Sequence, residues 1–330
     1  MTVAPRWVTA SAPAKTNLLL HVGSPTPDGY HPLETLFLAV DLRETVTATL
    51  DPARDAGEGV AVTVEPAPGS GYARMVAEGA ARLSDIPLDA RNLAVRAARA
   101  VCDAMGASES GLALHIRKAV PVAGGMGGGS ADAAAALVAV NDLVARHLGI
   151  PELAPEELRR LGAELGADVP FMLLGGAAVG RGTGSELQPV PTDGLLHLVF
   201  APQDRGLSTP AVYRRWDAAH GLSGTGAPDP VSPRALAALG PADPGALAAL
   251  VRNDLQAPAL HLLPELADVL EHGARLGALT GWVSGSGPTV CFLAPTDDAA
   301  RQLADALARE GRLALPVNGP APGARVGARG

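Results

Sequence analysis

The chain has 330 residues, 47% of them hydrophobic and 18% charged, and its formal net charge is −8. This composition is typical of a soluble globular protein with one large or two ordinary domains, and it argues against wholesale disorder. The negative charge disfavours a nucleic-acid partner, and no apolar run approaches the roughly 20 residues of a membrane helix. The N-terminal stretch carries no signal-peptide pattern, so we expect a cytoplasmic protein whose Cys102 and Cys291 are buried thiols.

Strand patterns dominate the first part of the chain. Two extended apolar runs open it, and Pro13 between them predicts two strands with a break at the proline. The apolar residues of 90–106 recur at helical spacing, which predicts a helix that ends at Gly106. Further strands are predicted at 34–51, 59–66 and 111–120.

The pattern restarts after Gly194. The predicted elements are strands at 195–202 and 281–295, the second interrupted by a turn, and helices at 209–217, 234–251, 254–275 and 296–311. Strands and helices mix without strict alternation, which favours an α+β fold of two lobes, residues 1–190 and 191–315. The Gly- and Pro-rich tail 316–330 is interpreted as partly unstructured.

The stretch 121–130 reads PVAGGMGGGS and leads into an alanine-rich helical pattern. Glycine lets the backbone approach an anion closely, and the N–H groups at a helix start bind phosphate. Ser130 is the predicted N-cap of that helix. The alternative is a flexible linker, but a linker rarely runs directly into a cap and a strong helix.

Two familiar phosphate-binding motifs do not fit this stretch. A P-loop requires a lysine after its last glycine, and none follows here. The dinucleotide fingerprint would begin at Gly125 and Gly127, but Ser130 replaces its last glycine and Pro121 separates the loop from the strand. The residues therefore predict a phosphate site without naming its ligand.

The order of proline, glycine loop, serine and helix resembles the phosphate-binding motif of the GHMP kinases, which hold ATP at this helix start. Three stretches resemble segments of those GHMP kinases that phosphorylate a cytidine diphosphate-linked methylerythritol, namely APAKTNLLLHV (12–22), PDGYHPLETLF (27–37) and LGADVPFML (165–173). VSGSGPTV (283–290) resembles the third glycine motif of the superfamily. The matches run in family order, so the resemblance covers most of the chain.

The resemblance implies a two-lobed α+β fold. Its N-terminal ATP-binding lobe would be ribosomal protein S5 domain 2-like and its C-terminal lobe ferredoxin-like. The implied activity is ATP-dependent phosphorylation of the C2 hydroxyl of the methylerythritol unit, in the non-mevalonate route to isoprenoid precursors. Two alternatives stay open: a GHMP kinase for homoserine, mevalonate or a sugar, and a non-catalytic nucleotide-binding protein on the same fold. The DGYH stretch argues against the first, and retention of Lys15 and Asp168 against the second.

Phosphoryl transfer to an alcohol needs alignment, charge neutralisation and an acceptor for the hydroxyl proton. Asp168 is the expected acceptor, and Lys15, a cation in an apolar strand, is its expected partner. A helix-cap or turn aspartate and a surface lysine are the alternatives. Asn17 shares the side-chain parity of Lys15 and is expected to bind the substrate.

The resemblance also assigns binding residues at both ends of the site. For the cytidine end it implies stacking by Tyr30 and Tyr213 and hydrogen bonding by His31. Near the reacting end it implies Thr209, Ser284, Gly285, Ser286 and Gly287. For ATP it implies Gly124, Gly125, Met126, Gly127, Gly128, Gly129 and Ser130, with Asn92 and Lys118 near the adenosine. For Asn92 a helix N-cap is the alternative.

Ala131 occupies the place where many relatives carry a second serine, a hydroxyl that helps to ligate magnesium in parts of the superfamily. We therefore expect Mg²⁺ to be carried by ATP and water, with no dedicated protein metal site. The expected partners are ATP and the small-molecule substrate, without nucleic acid or membrane, and the expected state is a monomer or weak homodimer.

Overall fold

Two β-sheets, each packed against helices, form the protein in the computed structural model, which describes residues 7–27, 29–51, 59–221 and 226–330. The strands of these ranges are β1 (Trp7–Val22), β2 (Leu33–Leu50), β3 (Ala61–Pro66), β4 (Leu112–Lys118), β5 (Ala177–Gly182), β6 (Glu186–Pro189), β7 (Leu196–Ala201), β8 (Arg252–Asn253), β9 (Thr280–Val283), β10 (Val290–Ala294), β11 (Leu315–Gly319) and β12 (Arg325–Arg329). The α-helices are α1 (Gly71–Ala77), α2 (Leu93–Met105), α3 (Gly128–Leu148), α4 (Pro155–Leu165), α5 (Val169–Leu174), α6 (Thr209–His220), α7 (Pro233–Leu239), α8 (Pro244–Ala248), α9 (Gln256–Leu262), α10 (Glu265–Arg275) and α11 (Asp297–Arg309). None of these helices combines the length and apolarity needed to cross a bilayer.

The first sheet is built around the long antiparallel pair β1 and β2. Its strand order is β12-β1-β2-β4-β3, with β5 and β6 continuing from β2 and β8 pairing with β1. The predicted break at Pro13 is wrong, because β1 runs on and only its register with β2 shifts between Pro13 and Ala14. Proline has no N–H to donate, and a local shift of register accommodates the missing bond.

Helices α2 and α3 cover this sheet. The predicted end of α2 is confirmed, because Gly106 ends the helix at φ 63°, and Asn92 fulfils its alternative role as the N-cap, since its side chain accepts from the N–H of Ala94. Along α3 the alanines are buried against the sheet and α2. Because an alanine side chain is a single methyl group, the helix can lie close to its neighbours, which brings its first turn to the end of β4.

The second sheet has the order β11-β7-β10-β9, with every pair antiparallel. Helices α10 and α11 pack on one face of it. The two helices predicted at 234–251 and 254–275 are each divided, the second at Pro264, whose missing N–H favours a new helix start. Both cysteines are buried and free, as expected.

The two lobes share a hydrophobic cluster. Leu36 and Leu38 of β2 pack with Leu198 and Phe200 of β7, all nearly inaccessible to solvent. A shared core of this kind fixes the two sheets relative to each other, so that a cleft between them keeps its shape.

The interpretation of 316–330 as partly unstructured is wrong. β11 forms an edge of the second sheet, and β12 pairs with β1 in the first. The Arg329 guanidinium lies 2.7 Å from the carboxylate of Asp142, a buried residue of α3. Arg43 donates to the carbonyl oxygens of Pro322 and Gly323. These charged contacts fasten the end of the chain onto the first lobe, and composition does not reveal them.

Candidate active site

The glycine loop enters α3 through left-handed backbone at Gly125 (φ 75°) and Gly127 (φ 73°). A Cβ on Gly125 would collide with the carbonyl oxygen of Ser284, and at Gly127 the left-handed φ disfavours any side chain, so both positions favour glycine. Gly127 is the N-cap residue and the helix begins at Gly128. Ser130 therefore lies in the first turn, and its prediction as N-cap is wrong, because the left-handed Gly127 lets the chain turn into the helix earlier.

Three successive carbonyl groups of the loop accept hydrogen bonds from other parts of the protein. The Gly124 oxygen accepts from the N–H of Thr289 (3.3 Å) and the Met126 oxygen from the N–H of Lys15 (3.0 Å). The Gly125 oxygen accepts from the Ser284 hydroxyl (3.0 Å). In a trans peptide the following N–H points away from the carbonyl, so these bonds turn the donors of the loop outward.

A cavity of about 350 Å³, here called the loop cavity, lies against this loop. The predicted ATP-binding residues that line it are Asn92, Lys118, Gly124, Gly125, Gly127, Gly128, Gly129 and Ser130. Met126 does not line it, because its side chain is buried in the core shared by the lobes. The Asn92 side chain also holds the polypeptide in place, accepting from Ala94 and donating to the Pro87 oxygen.

Lys118 lies at the floor of the loop cavity between two buried carboxylates. Its ammonium is 2.5 Å from Glu44 Oε1 and 2.7 Å from Asp132 Oδ2. Burial raises the pKa of Glu44 to about 8, although the charge of Lys118 opposes that rise. Burial alone would lower the pKa of Lys118, but the two carboxylates raise it above its ordinary value.

Glu44 and Asp132 were absent from the sequence prediction. Asp132 Oδ1 is buried without a hydrogen-bond partner among the described residues, and Asp132 lines the loop cavity. The available signal was a carboxylate inside an alanine-rich helix, where a charge needs a partner. That the partner is Lys118 depends on the packing of α3 against β4.

A second cavity of about 320 Å³, here called the lysine cavity, contains Lys15, Asn17 and Asp168. The Lys15 ammonium is 3.5 Å from Asp168 Oδ2 and donates to Asn17 Oδ1 at 2.9 Å. Asn17 in turn donates to the Thr35 hydroxyl at 2.7 Å. The alternation of β1 places Lys15 and Asn17 on one side of the strand, as predicted.

Asp168 precedes α5, but its side chain makes no capping hydrogen bond. Its side chain is 32% exposed, whereas that of Lys15 is 7% exposed. The Asp168 side chain therefore does not cap the helix. The alternative of a surface lysine is wrong, because the Lys15 side chain is buried. Gly125, Gly127 and Ser130 line both cavities, so a group held by the loop lies next to this pair.

A third cavity of about 490 Å³, here called the tyrosine cavity, contains Tyr30, His31 and Tyr213. It continues from the lysine cavity, since the two share Leu33, Ala167, Thr183, Thr209 and Tyr213. Tyr30 is 67% exposed. Burial, and next the charge of Asp168, raise the pKa of Tyr213 to about 12, so its hydroxyl stays protonated at neutral pH. Asp28, in the predicted turn before Tyr30, lies outside the described residues.

His31 points its ring nitrogens into the protein. Nδ1 lies 2.9 Å from the carbonyl oxygen of Gly23, and Nε2 lies 3.3 Å from Asp217 Oδ1. The ring lies 5.1 Å from that of Tyr213, centre to centre. Nδ1 is thus hydrogen-bonded within the protein, while Nε2 faces the Asp217 carboxylate without a hydrogen bond, and the bond from His31 to a base stays a prediction.

Of the residues predicted from the third glycine motif, only Gly285 and Ser286 line the lysine cavity. The Ser286 hydroxyl lies 2.8 Å from that of Thr209. Ser284 is fully buried and bonds to the glycine loop, and Gly287 has a left-handed φ of 84° where a Cβ would meet Val283. Ser284 and Gly287 therefore shape the turn and do not line the cavity.

Comparison with known proteins agrees with this geometry. The model of the GHMP kinases N terminal domain matches residues 92–176, and that of the GHMP kinases C terminal domain matches residues 235–313. A crystal structure of homoserine kinase from Cytophaga hutchinsonii has the same fold, with a TM-score of 0.66, 18% identity and 99% coverage of both chains. The chain is therefore a GHMP kinase, of the class of ATP-dependent small-molecule kinases, and the predicted fold class is confirmed.

Relatives with higher identity narrow the family. A crystal structure of 4-(cytidine 5'-diphospho)-2C-methyl-D-erythritol kinase is 30% identical, with a TM-score of 0.68 and coverage of 95% of this chain and 99% of that one. The 4-diphosphocytidyl-2-C-methyl-D-erythritol kinases of Pseudarthrobacter chlorophenolicus and Thermobifida fusca are 46% and 45% identical, each over 98% of this chain and over 96% and 99% of their own. The chain belongs to the 4-diphosphocytidyl-2-C-methyl-D-erythritol kinase family.

Proposed function

We propose that this protein transfers the terminal phosphoryl group of ATP to the C2 hydroxyl of 4-diphosphocytidyl-2-C-methyl-D-erythritol. The observation that carries the proposal is the place of the Lys15–Asp168 pair, beside the glycines that separate the loop cavity from the lysine cavity. A donor phosphate in one cavity and an acceptor hydroxyl in the other would meet at this pair. Relatives named for this activity match nearly the whole chain.

At the donor end, the loop N–H groups and the start of α3 bind the phosphates of ATP. The carbonyl groups of Gly124, Gly125 and Met126 bond to the rest of the protein. The backbone N–H groups of the loop are therefore expected on its opposite side. The 21-residue helix adds a positive dipole end at the same place. Both features stabilise negative charge without a P-loop lysine.

At the acceptor end, Asp168 takes the proton of the attacking hydroxyl. Lys15 orients the hydroxyl and stabilises negative charge on its oxygen as the O–P bond forms. Asn17 holds the Lys15 ammonium in place from the other side. A bond from Asn17 to the substrate would compete with this one, so we assign it a positioning role.

The tyrosine cavity receives the cytidine end of the substrate. Tyr30 and Tyr213 offer ring faces for stacking on the base. Because its ring nitrogens face Gly23 and Asp217, His31 contributes by holding the Tyr213 ring, against which it packs.

Magnesium is carried by ATP in this proposal. Among the described residues no three His, Cys, Asp or Glu side chains are grouped to hold a metal. Three carboxylates line the first two cavities, Asp85, Asp132 and Asp168, and the last two each lie opposite a lysine. These residues fit an ion ligated mainly by phosphate oxygens and water, with Asp132 Oδ1, which has no hydrogen-bond partner among the described residues, as an additional acceptor.

The test is a panel of alcohols incubated with the protein and Mg-ATP while ADP release is followed. We expect turnover of the cytidine diphosphate-linked substrate, with a new phosphate ester at C2 visible by ³¹P NMR. Methylerythritol 4-phosphate without the cytidine should react very poorly, since a site built to bind a base rejects an analogue that lacks it. Comparable turnover of the two compounds, or preference for homoserine or mevalonate, would contradict the proposal.

A further inference from the structure

One arginine that lines the tyrosine cavity has no side-chain partner among the described residues of the protein. Arg214 of α6 lines this cavity and is exposed. Among the described residues Arg214 has neither an ion pair nor a side-chain hydrogen bond. Most of the other described arginines form an ion pair with a carboxylate. A positive charge at the wall of a binding cavity is thus left available to a ligand.

On α6, Arg214 neighbours residues that lie at the junction of the two cavities. Thr209, Tyr213 and Asp217 follow one another at four-residue intervals and line the same cavity. Arg214 lies beside this row, and helical side chains lean toward the helix N-terminus, here toward Thr209. Thr209 also lines the lysine cavity, so the row of residues beside Arg214 extends to the passage between the two cavities.

The nearest carboxylate on the same helix is committed elsewhere. Asp217 lies one turn after Arg214, a spacing that often gives an ion pair. Its Oδ1 instead lies 3.3 Å from His31 Nε2. Among the described residues, Asp217 thus has its ion-pair contact with the histidine and not with Arg214.

Among the described residues that line these two cavities, no other cation is available in the passage between them. Its shared wall, given by Leu33, Ala167, Thr183, Thr209 and Tyr213, is uncharged. In the lysine cavity the charge of Lys15 is already opposed by Asp168. A substrate with its base in one cavity and its reacting alcohol in the other would place its diphosphate in this passage, several negative charges without a counter-charge.

We propose that Arg214 binds the diphosphate of the substrate, and that the enzyme thereby recognises a nucleoside diphosphate and not only a base. This inference rests on the proposed function. An arginine suits the task because its planar guanidinium can donate two parallel hydrogen bonds to phosphate oxygens.

The test compares Arg214→Gln with the matched control Arg234→Gln. Arg234 is an exposed arginine of α7 that lines none of the three cavities and has no ion pair among the described residues. For each protein we would measure KM for both substrates, kcat, and inhibition constants of CDP and cytidine against the cytidine-linked substrate. A hydrogen bond to a charged group corresponds to roughly 10- to 100-fold in affinity.

Arg214→Gln should raise KM for the cytidine-linked substrate and Ki for CDP by that factor. Ki for cytidine, KM for ATP and kcat should stay within about twofold, and Arg214→Lys should restore part of the loss. An equal loss of cytidine and CDP binding would overturn the inference, since Arg214 would then act on the base or the fold. Arg214→Gln with the same KM and Ki values as the control Arg234→Gln would also overturn the inference. A wild-type protein that neither binds CDP nor phosphorylates the cytidine-linked substrate would instead refute the proposed function itself.

Discussion

The hydroxyl of Ser284, in the turn between β9 and β10, donates a 3.0 Å hydrogen bond to the carbonyl oxygen of Gly125 in the glycine loop. The same hydroxyl lies 3.1 Å from that of Thr16 in β1, and Thr16 accepts from the indole N–H of Trp282 at 3.2 Å. These four residues come from β1, the glycine loop, and β9 with the turn after it, and together they form a buried polar network. The second lobe thus holds the phosphate-binding loop of the first in its working conformation.

Replacing Ser284 with alanine should release the Gly125 carbonyl and weaken ATP binding. Loss of one buried hydrogen bond costs about 1 kcal/mol, so we expect KM for ATP to rise several-fold. Steady-state kinetics would measure it, with Ser286→Ala as the control, because that hydroxyl bonds to Thr209 and not to the loop. Equal KM values for ATP in Ser284→Ala and wild type would show that the loop holds its shape without this contact.

Asp168→Asn keeps the side-chain size and removes the proton acceptor. If Asp168 is the general base, kcat should fall roughly 10²- to 10⁴-fold, with a much smaller change in KM. Lys15→Met should also lower kcat, and the double variant should lose less than the product of the single losses, because the two groups act on one hydroxyl. Single-turnover kinetics of the three variants would measure this. A near-normal kcat in Asp168→Asn would leave catalysis to alignment and charge stabilisation alone.

Gly127→Ala tests the loop geometry. The residue has a φ of 73°, which an alanine adopts only with strain, and a Cβ there would also displace the end of the Met172 side chain. We expect a lower melting temperature and loss of ATP affinity by calorimetry. Gly129→Ala is the matched control for stability, since its Cβ would meet only Leu93, at 3.8 Å, and alanine favours a helix. Equal melting temperatures of the two variants would refute the requirement for glycine at Gly127.

Arg329→Ala should destabilise the fold, although Arg329 is the penultimate residue. Its guanidinium donates to both carboxylate oxygens of the buried Asp142. Removing one partner of such a pair should cost about 1 kcal/mol or more, seen as a melting temperature lower by a few degrees. Arg325→Ala, on the same strand but without an ion pair among the described residues, should melt like wild type. If the two variants melt alike, β12 is held by its backbone bonds.

Glu44 should make stability depend on pH. Burial raises its pKa from the ordinary 4.5 to about 8, so between these values the folded protein holds a proton that the unfolded chain has released. Stability should therefore fall as the pH rises from about 4.5 to about 8, other groups being equal. Melting curves of wild type and Glu44→Gln across this range would show the slope and its loss. A Glu44 carboxyl ¹³C signal that titrates near pH 4.5 would contradict the raised pKa.

The sequence by itself determined the local features of this protein. Helical spacing with Asn92 and Gly106 at its ends gave the bounds of α2, and strand alternation placed Lys15 and Asn17 on one side of β1. The glycines before α3 predicted a loop that turns into a helix. These properties follow from backbone preference and periodicity, which act over a few residues and so can be read from neighbours in the chain.

Only the tertiary structure decided which distant groups meet. Glu44 and Asp132 enclose Lys118 because β2, β4 and α3 pack together, and Ser284 reaches Gly125 because the two lobes share a core. The tail looked unstructured from its glycines and prolines, yet it forms β12, since the free edge of β1 offers hydrogen bonds and Asp142 offers a charge to Arg329. Such pairings depend on the arrangement of whole elements, and no short stretch of sequence carries that information.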